Sequence, residues 1–363
     1  MAVSRAFHPL RVAKIIDETH DAKSIVFEVP LALEEAFHYR AGQFLTLELT
    51  YAGLQLRRCY SLSSSPDCDS EHKVTVKRVL AGRGSNLIND ELRVGSVVPV
   101  LQPEGRFVLR DDAGDAPLVL FAGGSGITPI ISIIKTALAT TSRRIGLVYA
   151  NRDARSVIFH SELAALATKH AARLRIAYRL DDTHGFLRDV DVRALLGEVL
   201  PGATQPDCYL CGPGAFMEVV ERGLAGAGVD GARIHIERFA SLADEGLTPR
   251  PEAGPAPATA TAAASPRDGD GIPDMIDVEL LGEKHRVPYV AGKKILHAVR
   301  DAGLDPPYSC EEGFCGCCTA RLVEGRVSMD ATDALTEDEK KNGLILTCQA
   351  RPLTRVCSVR YVD

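Results

Sequence analysis

Short runs that alternate apolar and polar residues occupy the first part of the chain, at residues 44–49, 74–79 and 97–101. Gly, Pro or Asn separates them. A period of two sends successive side chains to opposite faces of a strand, so this pattern predicts an antiparallel β-barrel or sandwich over residues 1–111. From Pro117 the rhythm changes. Apolar runs at 118–122, 145–150, 174–178 and 208–211 alternate with segments of helical period at 130–139 and 162–169. Strand and helix in alternation predict an α/β domain, residues 112–241, with a parallel sheet covered on both faces.

The pattern then fades. Residues 242–272 carry a tract rich in Pro, Ala and Thr with no apolar periodicity, and such a segment buries too little surface to offset its ordering entropy. It reads as a flexible linker. Beyond it, runs at 276–281 and 283–287 flank a glycine as in a hairpin, and a short helix at 294–302 stops at Gly303. A strand at 356–362 closes this third, α+β block, residues 273–363.

Composition narrows the function classes. Of 363 residues, 45% are hydrophobic and 25% charged, which suits a globular chain. With 42 Lys+Arg against 48 Asp+Glu the net charge is −6, and no basic block is present. Nucleic-acid binding, which needs cations for phosphates, is therefore not expected. No apolar run reaches bilayer length and the N-terminus lacks a signal-like stretch, so a cytoplasmic location is expected. In that compartment ten cysteines point to metal ligation or free thiols, not to a disulfide scaffold.

Four of these cysteines carry a recognisable spacing. Cys310, Cys315 and Cys318 stand as C-x₄-C-x₂-C, with Cys348 well downstream in Leu346-Thr347-Cys348-Gln349. This is the plant-type [2Fe–2S] arrangement. Gly313 and Gly316 allow the positive φ values that a loop wrapped around a cluster demands. A four-cysteine zinc site or buried unligated thiols are the alternatives, but zinc ligands usually come as two short knuckles. Cys317 is adjacent; the spacing favours its neighbours. The block resembles plant-type ferredoxins, which implies a β-grasp fold.

Two strand-to-helix turns carry the next signal. The run 118–122 leads into Gly123-Gly124-Ser125-Gly126-Ile127-Thr128-Pro129, and Cys208-Tyr209-Leu210-Cys211 leads into Gly212-Pro213. Glycines at such turns let a phosphate reach a helix N-terminus. Two of them at the carboxyl ends of strands in one sheet would share a crevice. Together they resemble the NAD(P)H domain of the ferredoxin-NADP reductase superfamily. The resemblance implies that Cys211 lies by the nicotinamide, Thr128 near the flavin, and Glu237 and Phe239 beside the hydride-transfer centre. Taken alone, Cys211 reads as a small buried hydrophobe and Glu237 as a solvated charge. Arg152 could pair with a 2′-phosphate and Asp153 could accept from a 2′-hydroxyl, which leaves NADH and NADPH both open, with a lean to NADH.

On the barrel, Arg58-Cys59-Tyr60-Ser61 contains Arg-x-Tyr-Ser, the flavin signature of the same superfamily. Arg58 would neutralise a phosphate, Tyr60 would pack on the flavin, and Ser61 could hydrogen-bond flavin N5. Strand alternation sends Arg58 and Tyr60 to one side and Ser61 to the other, so an open strand edge must meet the ring. Val76-Lys77-Arg78 and Gly82-Arg83-Gly84-Ser85 resemble the second flavin segment, with Gly84 and Ser85 toward the pyrophosphate. FAD is expected over FMN.

The order of domains resembles reductase components of multicomponent oxygenases, those of 3-ketosteroid 9α-hydroxylase and phenylacetyl-CoA epoxidase in particular. Nicotinamide delivers two electrons together and a [2Fe–2S] cluster takes one, so something between them must divide the pair, and a flavin can. The resemblance implies NAD(P)H, FAD, a [2Fe–2S] cluster and a partner oxygenase. A reductase for another acceptor, such as a hybrid-cluster protein or desaturase, and a non-enzymatic redox sensor are the rival readings. Glu311 and Glu312, with 337–339, are candidate acidic docking residues.

Overall fold

The structure, a computed structural model, describes residues 7–80, 82–110, 114–238, 258–261, 271–308, 311, 313, 315–332, 334–335 and 337–361. The chain divides into two compact units, Met1–Gly246 and Leu247–Asp363.

The first unit opens with the expected antiparallel barrel. Its strands are β1 (His8–Thr19), β2 (Ala22–Glu28), β3 (Phe44–Tyr51), β4 (Leu54–Ser61), β5 (His72–Lys77) and β6 (Val97–Val100). Their order among the described residues is β4-β3-β6-β1-β2-β5, and a single bridge from Leu62 to Val74 closes the ring. Alternation aims Leu10, Val12, Ile25, Leu45, Leu47, Val74 and Val100 into a fully buried core. One element departs from expectation. Residues Arg83–Glu91 form a helix, α1, where only barrel strands and a loop were expected. Its opening Arg-Gly-Ser-Asn reads as a turn, and Ile88, Leu87 and the Asn89 side-chain amide, which donates to the Val76 carbonyl (3.2 Å), bind it to the barrel.

The second half of this unit is the expected parallel sheet. Strands β7 (Leu118–Gly123), β8 (Ile145–Asn151), β9 (Leu174–Leu180), β10 (Asp207–Gly212) and β11 (Ile234–Arg238) lie in the order β11-β10-β7-β8-β9. All their pairings are parallel. The order reverses between β7 and β10, which makes that gap the topological switch point where such sheets hold ligands. Helices α2 (Ile127–Thr140), α3 (His160–Lys169), α4 (Asp181–His184), α5 (Asp189–Val199) and α6 (Gly214–Gly226) cover the faces. Helix α2 is buried from Ile127 to Leu138. Its apolar residues meet the sheet, while a buried polar stripe of Ser132, Lys135 and Thr136 turns to the barrel. Ser132 Oγ donates to the Ser64 carbonyl (2.6 Å), and Lys135 binds both Asp69 (2.5 Å) and Glu162 (2.7 Å).

The second unit holds β12 (Ala258–Thr261), β13 (Met275–Leu280), β14 (Glu283–Pro288), α7 (Ile295–Asp301), β15 (Thr319–Glu324), β16 (Arg326–Met329), α8 (Glu337–Lys341), β17 (Leu344–Leu346), β18 (Ala350–Pro352) and β19 (Ser358–Tyr361). The main sheet runs β14-β13-β19-β15-β17, with β13 and β19 parallel and the hairpin β13–β14 where expected. Strand β12 differs from expectation: residues 258–261 lie inside the segment read as a linker, yet they pair antiparallel with β16. An Ala-Thr-Ala-Thr run is too small to show an apolar face, while its backbone can still extend a sheet edge. No helix among the described residues is long and apolar enough to cross a membrane.

Candidate functional site

The barrel supplies an open strand edge. β4 pairs with β3 along its length and meets β5 only past its end, at the Leu62–Val74 bridge. The register sets Tyr60 opposite Leu45 and Arg58 opposite Leu47, on the core side, and Ser61 opposite Phe44 on the other face. The edge condition for a shared flavin contact is thus met. The first turn of α1 lies alongside. A Cβ at Gly84 would sit 2.9 Å from Arg58 Cγ and 3.5 Å from the Tyr60 hydroxyl, so a bare backbone at 84 lets both side chains pack there. Ser85 Oγ accepts from the Val79 amide (3.1 Å) and so fixes the turn.

Ser61 is the informative residue of the serine run. Ser63 Oγ bonds Thr75 (2.8 Å), Ser64 Oγ accepts from the Tyr39 hydroxyl (2.7 Å), and Ser65 Oγ bonds Thr136 (2.7 Å). Ser61 Oγ is equally buried and has no partner among the described residues. A buried hydroxyl without a partner is costly, and a ligand with a ring nitrogen at this edge would satisfy it. The residues present therefore fit a flavin.

The two glycine turns meet at the switch point. A Cβ at Gly126 would lie 2.1 Å from the Cys211 carbonyl oxygen and 2.7 Å from the Gly212 nitrogen. One at Gly123 would lie 2.9 Å from Pro213 Cδ, and one at Gly212 3.0 Å from Gly123 Cα. Backbone packs on backbone here, and the carboxyl ends of β7 and β10 lie side by side, where sheets of this topology hold ligands. Gly124 has φ +53°, which turns the chain into the start of α2, where Thr128 Oγ1 donates to the Ser125 carbonyl (3.1 Å). Cys211 is fully buried, and burial first and the Glu237 carboxylate second push its thiol up. Register places Glu237 beside Cys211 on the next strand. Burial raises the Glu237 carboxyl to about 8, with Arg106 only partly opposing. Phe239 lies outside the described residues.

The remaining cationic candidates separate. Val76 points into the barrel core. The Lys77 ammonium reaches the glycine loop, 3.8 Å from where a Gly124 Cβ would be. Arg78 turns away and binds Asp90 on α1 through two hydrogen bonds (2.5 and 3.0 Å). Arg152 binds Asp21 of the β1–β2 turn (3.1 Å), and Asp153 accepts from the Ser156 amide (2.9 Å) and hydroxyl (3.0 Å). Neither side chain stands free to read a ribose. Sequence reasoning gave a functional part to neither Asp21 nor Arg106. Both owe their place to partners far away in the chain, which local pattern cannot reveal.

In the second unit, Cys318 and Cys348 are buried together; their mutual hydrogen bond is the first cause of the raised Cys318 thiol, ahead of burial, and Cys315 adds to it. Cys310 lies outside the described residues. The loop turns through Glu311 (φ +58°), Gly313 (+88°) and Gly316 (+68°), as a wrapped loop should. Gln349 pins it, its Nε2 donating to the Glu311 carbonyl (3.0 Å) and toward Cys348 Sγ (3.4 Å). Thr347 Oγ1 donates to the Cys318 carbonyl (3.0 Å). The paired thiols Cys318 and Cys348, with Cys315 in the adjoining loop, have the donor chemistry of an iron–sulfur cluster, although no three such side chains converge on one metal point among the described residues. The Glu311 carboxylate is bound by His297 (3.1 Å) and Arg300 (3.0 Å), which weakens it as a docking charge; Glu312 lies outside the described residues.

Comparison with known proteins covers the same three parts. Residues 9–109 match the family described as oxidoreductase FAD-binding domain, 120–222 the oxidoreductase NAD-binding domain, and 278–353 the 2Fe-2S iron-sulfur cluster binding domain. The chain is 39% identical over 353 residues to the ferredoxin reductase component of 3-ketosteroid-9-alpha-monooxygenase from Rhodococcus rhodochrous, covering 97% of this chain and 96% of that one. It is 33% identical over 357 residues to one of the subunits of 1,2-phenylacetyl-CoA epoxidase from Escherichia coli K12, covering 96% of each. Among solved structures, phthalate dioxygenase reductase aligns over 98% of both chains with a TM-score of 0.58 and 26% identity.

Proposed function

The chain belongs to the family of oxygenase reductase components that join FAD-binding, NAD-binding and 2Fe-2S domains, and from that premise we propose that it carries electrons from NAD(P)H to a terminal oxygenase. The observation that carries the reading is the full-length match, which spans all three domains in one order. The acceptor proposed is an oxygenase of the 3-ketosteroid 9α-hydroxylase or phenylacetyl-CoA epoxidase type. Domain limits of 1–111, 112–241 and 273–363 belong to the proposal, the last extended by β12, which pairs with β16. So does a cytoplasmic location, where thiol ligands stay reduced.

When bound, FAD supplies the conversion between two-electron and one-electron transfer, and the [2Fe–2S] cluster supplies one-electron relay. The chain's own residues do the rest. Arg58, the first turn of α1 with Gly84 and Ser85, and the backbone at Val76, Lys77 and Arg78 hold the flavin's phosphate end. Tyr60 covers the ring and Ser61 Oγ orients it. Gly123, Gly124, Gly126 and Thr128 receive the coenzyme's phosphates at the start of α2, and Gly212 and Pro213 shape the opposite wall. Cys211 keeps water from the reacting face. Glu237, with its carboxyl near 8, holds a proton at the crevice floor. Cys310, Cys315, Cys318 and Cys348 ligate the cluster.

Anaerobic titration of the holoprotein with NADH and, separately, NADPH tests this. Flavin bleaching followed by a reduced-cluster EPR signal is expected, with NADH the better donor. Colourless, metal-free protein from an iron-replete preparation, or flavin reduction with no cluster signal, would defeat the proposal.

A further inference from the structure

Asp21 sits at the turn between β1 and β2 and reaches from the barrel to the ends of the parallel strands. Its side chain is 16% exposed. Oδ1 accepts from the Thr19 hydroxyl (2.8 Å), while Oδ2 faces Arg152 Nη2 (3.1 Å), Lys77 Nζ (3.8 Å) and His20 Nε2 (3.8 Å). The turn is fixed to β5, because the Arg78 amide donates to the Asp21 carbonyl (2.7 Å). Lys77 comes from the barrel and Arg152 from the end of β8, so one carboxylate oxygen gathers cations from two domains.

One of those cations reaches the glycine loop, and the other shares the same carboxylate oxygen beside it. Lys77 Nζ approaches the Gly124 backbone, and Gly124 is held from beneath by the Tyr149 hydroxyl, which donates to its carbonyl (3.0 Å). Two neighbouring cations, one of them at the glycine loop that precedes α2, suit a doubly charged anion. Lys77 is largely desolvated, which disfavours its charge, and Asp21 is the first influence opposing that. A carboxylate and a diphosphate cannot share these partners without strong like-charge repulsion.

We propose that Asp21 is a stand-in anion: it occupies Lys77 and Arg152 until the diphosphate of the pyridine nucleotide displaces it. This rests on the nucleotide reading of the crevice and adds a residue that opposes coenzyme binding. Release of Asp21 on binding frees the β1–β2 turn from Arg152, so the barrel-to-sheet contact loosens when the nucleotide arrives.

The test is calorimetric titration of the full-length holoprotein with ADP-ribose, which carries the diphosphate but no nicotinamide, so electron transfer contributes nothing. Asp21→Asn is expected to tighten binding by about fivefold or more, and Lys77→Met to weaken it by a similar factor. In the double variant the gain from Asp21→Asn should shrink, since its competitor cation is gone. Unchanged or weaker binding by Asp21→Asn, with the melting midpoint and flavin content retained, overturns the proposal. Should that variant fold poorly, Asp21→Ser gives the same readout. A gain confined to 2′-phospho-ADP-ribose would move the cations to a 2′-phosphate and overturn the diphosphate assignment. Failure of the unaltered protein to bind either nucleotide would sink the nucleotide reading itself.

Discussion

Glu237 and Cys211 are register partners on adjacent parallel strands, and Glu237 adds to the burial that makes ionisation of the Cys211 thiol harder. Glu237 is the more testable. Its native carboxyl is raised from 4.5 to about 8, chiefly by burial. The native state therefore keeps a proton that the unfolded chain releases as pH passes 4.5. Relative to glutamine, the stability this residue contributes is fully present below that value and is lost as pH rises through about 8. Glu237→Gln should accordingly gain on the unaltered protein with rising pH, by roughly 2–4 °C of melting midpoint per kcal/mol, then hold a constant gap in mild alkali. Parallel melting curves at acid and alkaline pH would show that the carboxyl is not buried as described. Residues in short motifs, such as Arg58, Tyr60, Ser61 and the cluster cysteines, were legible because their neighbours in sequence announce their chemistry. Asp21 and Arg106 were not, since each becomes meaningful only beside a partner on a distant strand or turn.

At the scale of elements, the parallel sheet was read well because its strands are apolar on both faces and its helices periodic. Helix α2 begins three residues before the expected start, where Thr128 ties back to Ser125 across the glycine turn. Helix α1 was missed, and so was β12; each is short and polar or small, and tertiary pairing decides its state. The glycine turns gain their meaning at this scale too. At Gly126 even a methyl group meets the Cys211 carbonyl at 2.1 Å, and backbone on both sides has nowhere to retreat. Gly126→Ala should cost about 3 kcal/mol, the upper end of overpacking penalties, because the strands themselves must part. Gly197, exposed in the last turn of α5 with nothing within 4 Å, is the control, and alanine there should stabilise by about 0.5 kcal/mol. Urea denaturation of the two variants separates steric cost from helix propensity. Equal midpoints would mean that the two turns do not pack as tightly as the distances state.

For the whole molecule, the order of domains was legible because each carries its own local signal: alternation, strand–helix rhythm, thiol spacing. The grouping was legible too, because the Pro-, Ala- and Thr-rich tract sets the third block apart from the first two. Barrel and parallel sheet fall into one compact unit, joined by buried polar contacts such as Lys73 with Glu162 (3.6 Å) and Ser65 with Thr136. The cluster domain is a unit of its own, so electrons must pass between two bodies that one stretch of chain connects. A tether of this kind converts encounter into an intramolecular event at an effective concentration on the order of a millimolar. Diluted to micromolar, two separate pieces would meet far less often. Introducing a protease site at residues 251–257, upstream of β12, and cutting after folding isolates that contribution while both units stay intact. NADH-to-ferricyanide turnover, which needs only the flavin, should persist. Cytochrome c reduction through the cluster should fall at least ~10-fold at micromolar protein and recover with increasing concentration. A cut protein that reduces cytochrome c at the original rate, whatever its dilution, would show that the two units hold together by their own surfaces and that the connecting chain is dispensable for transfer.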